Sequence, residues 1–214
     1  MTALLALFDV DGTILLTHDP LAGIALRETL TERYSVILSD DAIEQVDHQG
    51  QTSLRIGRLV LAAAGIEEPE RLVDWCGEFA ERYLELLTDA DTGNWQVSPD
   101  AERSLERLAA AGLHLALLTG NPEPMARARM DRLHLARFFP HGQGAFGCES
   151  ESRVELIAFA RARAGNWEAR ATVEVGDTER DATTSREAGI RSIVVGPGGL
   201  GEAAEQLLAW NRRR

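Results

Sequence analysis

The stretch Leu7-Phe8-Asp9-Val10-Asp11-Gly12-Thr13 sets two carboxylates one residue apart directly after a short apolar run, and a Gly-Thr pair follows. An apolar run ending in acids is the pattern of a buried strand that delivers carboxylates to the edge of a sheet. A carboxylate pair there can bind a divalent cation and attack phosphorus, which points to phosphate chemistry. Asp-x-Asp-Gly is equally the composition of an ordinary turn. A calcium loop would need further oxygens at fixed spacing and a Glu at its end, whereas Ile14, Leu15 and Leu16 follow here.

Three more segments carry polar groups just after apolar runs. Leu117-Leu118 ends in Thr119-Gly120-Asn121, and Val173–Val175 ends in Gly176-Asp177-Thr178, with Asp181 four residues past Asp177. Arg153 opens the helix predicted after Ala145–Cys148. Each has a plain structural use: Thr119 as a helix cap, Asp177 as a turn residue, Asp181 as a first-turn acid. Together they bring acids, a hydroxyl, an amide and a cation to one rim. Asp9 and Asp177 suit Mg²⁺, a hard ion that prefers oxygen ligands. Asp9 can attack phosphorus, and Asp11 can protonate the leaving oxygen and then activate water. Thr119, Asn121 and backbone N–H groups can hold phosphoryl oxygens, and Arg153 offers a fork suited to phosphate.

The elements that must position these residues are set by periodicity. Residues 3–9 predict a first strand. Helical spacing runs over Pro20–Tyr34, a short stretch capped by Ser39 and ending at Val46, a stretch from Thr52 to Gly65, and Glu70–Leu87. No strand signal separates these four helices. Alternation then resumes. Ser98-Pro99 reads as an N-cap with Pro at the first helical position, and Gly112 ends that helix. Leu113–Leu118, Ala145–Cys148, Thr172–Gly176 and Ile190–Val195 read as strands. Helices are predicted from Asn121-Pro122, from a capping box over Ser152 to Glu155, over Thr178–Ala188 and over Glu202–Trp210. The tail Arg212–Arg214 reads as solvated. Strand–helix alternation implies an α/β fold, a Rossmann-like parallel sheet core, with an inserted all-α module. The division expected is 1–15 with 98–214 for the core and 16–97 for the insertion.

Asp9-Val10-Asp11-Gly12-Thr13, Leu118-Thr119-Gly120-Asn121, Arg153 and Gly176-Asp177-x-x-x-Asp181 resemble, in order and spacing, the four motifs of the haloacid dehalogenase superfamily. The resemblance covers the whole chain, and the insertion is similar to the family's helical cap domain. It implies Asp9 as nucleophile, Asp11 as acid/base, the Asp11 carbonyl as a further Mg²⁺ ligand, Gly12, Gly120 and Asn121 at the phosphate, and Asp181 near the metal. The third motif is usually lysine, and Arg153 stands there; Arg161 and Arg163 lie further into the helix. Gly50-Gln51-Thr52-Ser53 resembles the substrate loop of phosphoglycolate phosphatase-like members, with Gln51 and Ser53 in place of charged residues. Thr52 is equally an N-cap.

These readings lead to a Mg²⁺-dependent phosphatase acting on a small phosphorylated metabolite through an aspartyl-phosphate. Alternatives are a sugar-phosphate mutase on the same core, a receiver-like phosphoacceptor and a silent binding protein. Asp11 argues against dehalogenation, where the family lacks this second acid. All 22 basic residues are arginine, so no lysine Schiff base can form. A net charge of −12 argues against nucleic acid or an anionic membrane as partner. The apolar start lacks a basic region and a small-residue cleavage site and is interrupted by Asp9 and Asp11, so it reads as a strand of a cytoplasmic protein. Cys76 and Cys148 sit in dissimilar contexts and read as free thiols of a reducing cytosol. His18 and His48 fall where substrate contact is conceivable; His114, His134 and His141 read as surface or helix-end residues. Trp75, Phe79 and Tyr83 at helical spacing read as core of the insertion.

Overall fold

The structure, a computed structural model, describes residues 3–67 and 69–213. Arg214, part of the tail expected to be solvated, lies outside that range; Arg212 and Arg213 are exposed. Five strands, β1 (Leu5–Phe8), β2 (His114–Thr119), β3 (Ala145–Phe146), β4 (Thr172–Gly176) and β5 (Arg191–Val194), form one parallel sheet in the order β3-β2-β1-β4-β5. β1 is central and buried on both faces, which is why its sequence is an unbroken apolar run. Alternate residues feed opposite layers. Ala6, Phe8, Leu115, Leu117, Val173 and Val175 pack with α5 (Ala101–Ala110), α6 (Glu123–Arg132) and α9 (Leu200–Arg212). Leu5, Leu7, Ala116 and Leu118 pack against α7 (Arg153–Arg163). α8 (Glu179–Glu187) lies between β4 and β5 in the chain.

Between β1 and α5 run four helices: α1 (Pro20–Tyr34), α2 (Asp40–Glu44), α3 (Ser53–Ala63) and α4 (Leu72–Thr88). They bury a separate cluster around Leu30, Val60, Leu61, Trp75, Phe79 and Tyr83. Trp75 and Phe79 stack at 5.3 Å between centroids, and the indole N–H of Trp75 donates to the Thr29 hydroxyl at 2.8 Å. The two chain crossings between sheet and insertion are tied to each other: Leu16 N donates to Gln96 O and Ser98 N to Ile14 O, both at 2.8 Å.

That tie displaces one predicted helix start. Ser98 does not cap α5: its amide donates to Ile14 O, its hydroxyl finds no partner, and the helix starts only at Ala101, after Asp100 turns in the left-handed region (φ 59°). α1, by contrast, keeps its predicted bounds, and Asp19 caps it by accepting from Leu21 N at 3.0 Å. Ser152 caps α7, accepting from Glu155 N at 3.4 Å. The return half of the expected box is absent, because Ser150 takes both the Glu155 carboxylate and the Ser152 amide.

The cysteines correct the sequence expectation outright. Cys76 on α4 and Cys148, just after β3, form a disulfide across 72 residues, with Cα atoms 5.7 Å apart. Local context gave no hint of it, because the partners meet only where the insertion packs on the sheet layer. Closing so long a loop removes denatured-state entropy, worth about 4 kcal/mol on the chain-entropy model. Reduction with a dithiol is therefore expected to lower the melting temperature by roughly 10 °C. Superimposable melting curves for the oxidised and reduced protein would refute this.

Candidate active site

Strand register builds the site. Phe8 pairs with Leu117 on one side and Val175 on the other, so Asp9 leaves β1 while Thr119 and Asp177 leave the flanking strands a step further on. The Asp9 amide continues the ladder onto Val175 O at 2.9 Å and aims the side chain across the carboxyl edge. Asp9 is 6% exposed. Gly12 then turns with φ 76°, and a Cβ on it would overlap the Asp177 carboxylate, so only glycine lets this loop approach β4.

Asp9, Asp177 and Asp181 each present a carboxylate oxygen, all within 4.8 Å of one another. Burial raises the pKa of Asp9 well above the usual carboxylate range; Arg153 works against it, and the neighbouring Asp181, Asp11 and Asp177 add to it. Asp177 is pushed up the same way, by burial first and Asp181 second. Asp181 is buried and does two jobs. Its Oδ2 accepts from the Thr178 amide (2.9 Å) and hydroxyl (2.7 Å) in a capping box that starts α8. Its Oδ1 lies 2.8 Å from Arg153 Nη2 in an ion pair, yet no N–H or O–H points at it. A buried carboxylate oxygen without a donor, in a trio of hard oxygen ligands that repel one another, is what a divalent cation satisfies.

Arg153, the first residue of α7, is 5% exposed. Its Nη2 stands 3.5 Å from Asp9 Oδ1 and 3.0 Å from Glu174 Oε1, and it also reaches Leu118 O at 3.4 Å. Glu174, fully buried on β4, was missed in the sequence. It accepts from Arg153 and from the Ser185 hydroxyl at 2.5 Å. A signal existed: a charged residue inside an apolar parallel strand requires a buried partner.

On the other side of Asp9, Thr119 is buried and its Oγ1 accepts from Asn121 Nδ2 at 2.9 Å. The same Asn121 amide donates to Asp11 Oδ2 at 2.6 Å. Asp11 also accepts from Arg129 Nη1, at 2.8 and 2.9 Å to its two oxygens. Arg129 was another residue not singled out in the sequence, where an arginine amid Met125–Arg132 looks like any solvated helix face.

The insertion rests on this rim. Ser53 donates twice to Gly120 O, from its amide and its hydroxyl, each at 2.8 Å, and Leu54 N donates to Gly147 O at 3.1 Å. Gly120 has no room for a Cβ, which would run into the carbonyl of Gln51. Arg180 reaches over from α8 to Gln49 O (2.9 Å) and Asp47 (2.7 Å). The Gln51 side chain donates back to Asp47 O at 2.5 Å, and the Thr52 hydroxyl caps α3 by accepting from Arg55 N at 3.2 Å. Both side chains are thus spent within their own loop, by the same local geometry that seats the backbone on Gly120. His18 is exposed, and the exposed His48 ring pairs with Ile43 O.

A parallel α/β sheet whose carboxyl edge gathers three acids, an arginine and a Thr–Asn pair has its polar groups where such sheets bind ligands. A model of the haloacid dehalogenase-like hydrolases matches residues 4–189, and the chain belongs to that family. Among its relatives are the phosphoglycolate phosphatases of Rhodospirillum rubrum, 29% identical over 195 residues (90% of this chain, 79% of the relative), and of Caulobacter vibrioides, 28% identical over 201 residues (94% and 82%). Solved structures with the same fold include a β-phosphoglucomutase from Clostridium difficile (TM-score 0.71, 15% identity, covering 100% of both chains). CbbY from Rhodobacter sphaeroides in complex with phosphate is another (TM-score 0.65, 19% identity, 91% and 87%).

Proposed function

We propose that this hydrolase is a phosphatase that removes phosphate from a small phosphorylated metabolite through an aspartyl-phosphate on Asp9. The observation that carries the reading is the pairing of a buried Asp9 in a three-carboxylate cluster with a separate Asp11 held outside that cluster by Asn121 and Arg129. Two acids in different settings can take different roles.

In this mechanism an Asp9 oxygen attacks phosphorus, forming an O–P bond as the bond to the leaving oxygen breaks. Asp11 gives its proton to that oxygen. Asp11 then takes a proton from water, whose oxygen bonds to phosphorus as the Asp9–phosphorus bond breaks, and free phosphate results. Thr119, with its hydroxyl hydrogen still free to donate, would hold phosphoryl oxygens, with Gly120 and Asn121 beside it. Arg153 orients Asp9 and balances charge. Asp9, Asp177 and Asp181, with the Asp11 carbonyl, would hold Mg²⁺, which when bound offsets repulsion between carboxylates and the phosphate dianion. In this reading residues 16–97 form the cap over a core of 1–15 and 98–214, and the Gln51-Thr52 loop is one of its points of contact with the core.

The activity for which the relatives are named makes 2-phosphoglycolate the first substrate to assay. Phosphate release supports the reading. Efficient isomerisation of a bisphosphate-primed hexose phosphate without phosphate release would sink it in favour of a mutase. Removing metal with a chelator is expected to cut p-nitrophenyl phosphate hydrolysis by at least ~10²-fold, restored by Mg²⁺. Unchanged hydrolysis would remove the metal from the mechanism.

No described helix is long and apolar enough to cross a membrane. Separately, a cytoplasmic setting is part of this proposal. The Cys76–Cys148 bridge is the observation that stands against it, since cytosolic thiols are mostly kept reduced. The charge of −12 supports no nucleic-acid or membrane partner.

A further inference from the structure

We propose that Arg129 is a positioning residue for Asp11, and that the helical insertion sets it through Asp19 and Tyr83. The proposal rests on the acid/base role given to Asp11 above and adds what holds that carboxylate in place.

Arg129 comes from α6, yet 1% of it is exposed, and each face of its guanidinium has a partner. Nη2 donates to Asp19 Oδ2 at 2.9 Å, Nε donates to the Tyr83 hydroxyl oxygen at 3.1 Å, and Nη1 donates to Asp11. Tyr83 closes the ring by donating to Asp19 Oδ2 at 2.6 Å, and its ring lies 5.2 Å from the guanidinium carbon. Asp19 and Tyr83 are buried, and both belong to the inserted segment: Asp19 caps α1 and Tyr83 lies on α4.

Charge counting separates a structural role from a positioning one. Asp19 alone neutralises Arg129, and Tyr83 satisfies its third N–H direction. A merely structural arginine needs no second carboxylate. The remaining Nη1 is directed instead at Asp11, whose side chain is 49% exposed and in reach of water. Burial works to make Arg129 give up its charge, but Asp11, Tyr83 and Asp19 outweigh it and keep it cationic. Asp11 is thereby gripped from two sides, by Arg129 on both carboxylate oxygens and by Asn121, itself braced on Thr119, on Oδ2. Lifting the insertion would take Asp19 and Tyr83 from Arg129 and leave Asp11 with one fixed anchor. Proton transfer depends on angstrom-level placement, and a misplacement of about 1 Å can cost ~10²-fold.

The test uses leaving groups. An alkyl phosphate needs a proton on its departing oxygen, whereas p-nitrophenolate departs without one at neutral pH, and kcat/KM reports the step in which that proton moves. R129K, Y83F and the charge-balanced pair D19N/R129M would be compared with wild type and D11N, each checked for a cooperative melt. The expected result is a kcat/KM loss of ~10²-fold for 2-phosphoglycolate in R129K and D19N/R129M. The loss with p-nitrophenyl phosphate should be at least about tenfold smaller, and Y83F should follow the same pattern at smaller size. Equal losses with both substrates would reduce Arg129 to a structural role and overturn the proposal, as would wild-type values. A D11N enzyme without leaving-group selectivity would locate the failure in the role of Asp11 itself.

Discussion

Asp9→Asn is expected to abolish turnover, leaving phosphate release at the assay background, while the protein still folds. An amide oxygen is a poor nucleophile for phosphorus, and a neutral side chain also weakens the three-oxygen cluster with Asp177 and Asp181. Stability should move the other way. Asp9 is buried among Asp181, Asp11 and Asp177, with Arg153 as the cation beside it, and burial of its charge is costly. Asn has the same shape without that charge. The metal-free variant is therefore expected to melt at or above the metal-free wild type, read by scanning calorimetry alongside phosphate release. Turnover within tenfold of wild type would remove Asp9 as nucleophile. A variant that is inactive because it no longer melts cooperatively would show instead that Asp9 is structural.

Asp11→Asn is expected to cost ~10²–10⁴-fold in kcat/KM with an alkyl phosphate, the usual contribution of a positioned acid or base. It should leave metal affinity nearly intact, because the Asp11 side chain lies outside the oxygen trio. The fold should tolerate the change, since Asp11 is half exposed and Arg129 keeps Asp19 as its counterion. On the proposed mechanism the two variants differ in kind: Asp9→Asn removes the attacking carboxylate, Asp11→Asn only the proton. If Asp11→Asn turned over 2-phosphoglycolate within about threefold of wild type, the leaving oxygen would have to find its proton elsewhere.

Much of the site could be read from the order of residue types along the chain. In a parallel sheet, the residues just past each apolar strand lie at one edge, so Asp9, Thr119 and Asp177 could be brought together without coordinates. Caps that act locally were readable too, as Ser39 at α2, Thr52 at α3 and Ser152 at α7 show, because each involves only neighbours a few residues away. Ser98 was misread because the chain is held there by Ile14, 84 residues back, and the helix starts only at Ala101, after Asp100 turns in the left-handed region, too late for the Ser98 hydroxyl to cap it. Glu174 carried a signal that went unused, a charge in a buried strand, whereas Arg129 carried none, because nothing in helical spacing tells a solvated arginine from one that reaches across α6 to Asp11.

The amino-acid sequence by itself determined the α/β order, the first strand, the four-helix insertion and the carboxylates that leave the strand ends. These depend on periodicity and on short-range hydrogen bonds, which act over a few residues. Only the tertiary structure decided which groups satisfy those carboxylates. Glu174 behind Arg153, Arg129 behind Asp11, the Cys76–Cys148 bridge and the seat of Ser53 on Gly120 all join residues far apart in the chain. A buried charge or a thiol fixes that it must have a partner, but not which one. That choice is made when the insertion packs against the sheet and distant side chains compete for the same few ångströms.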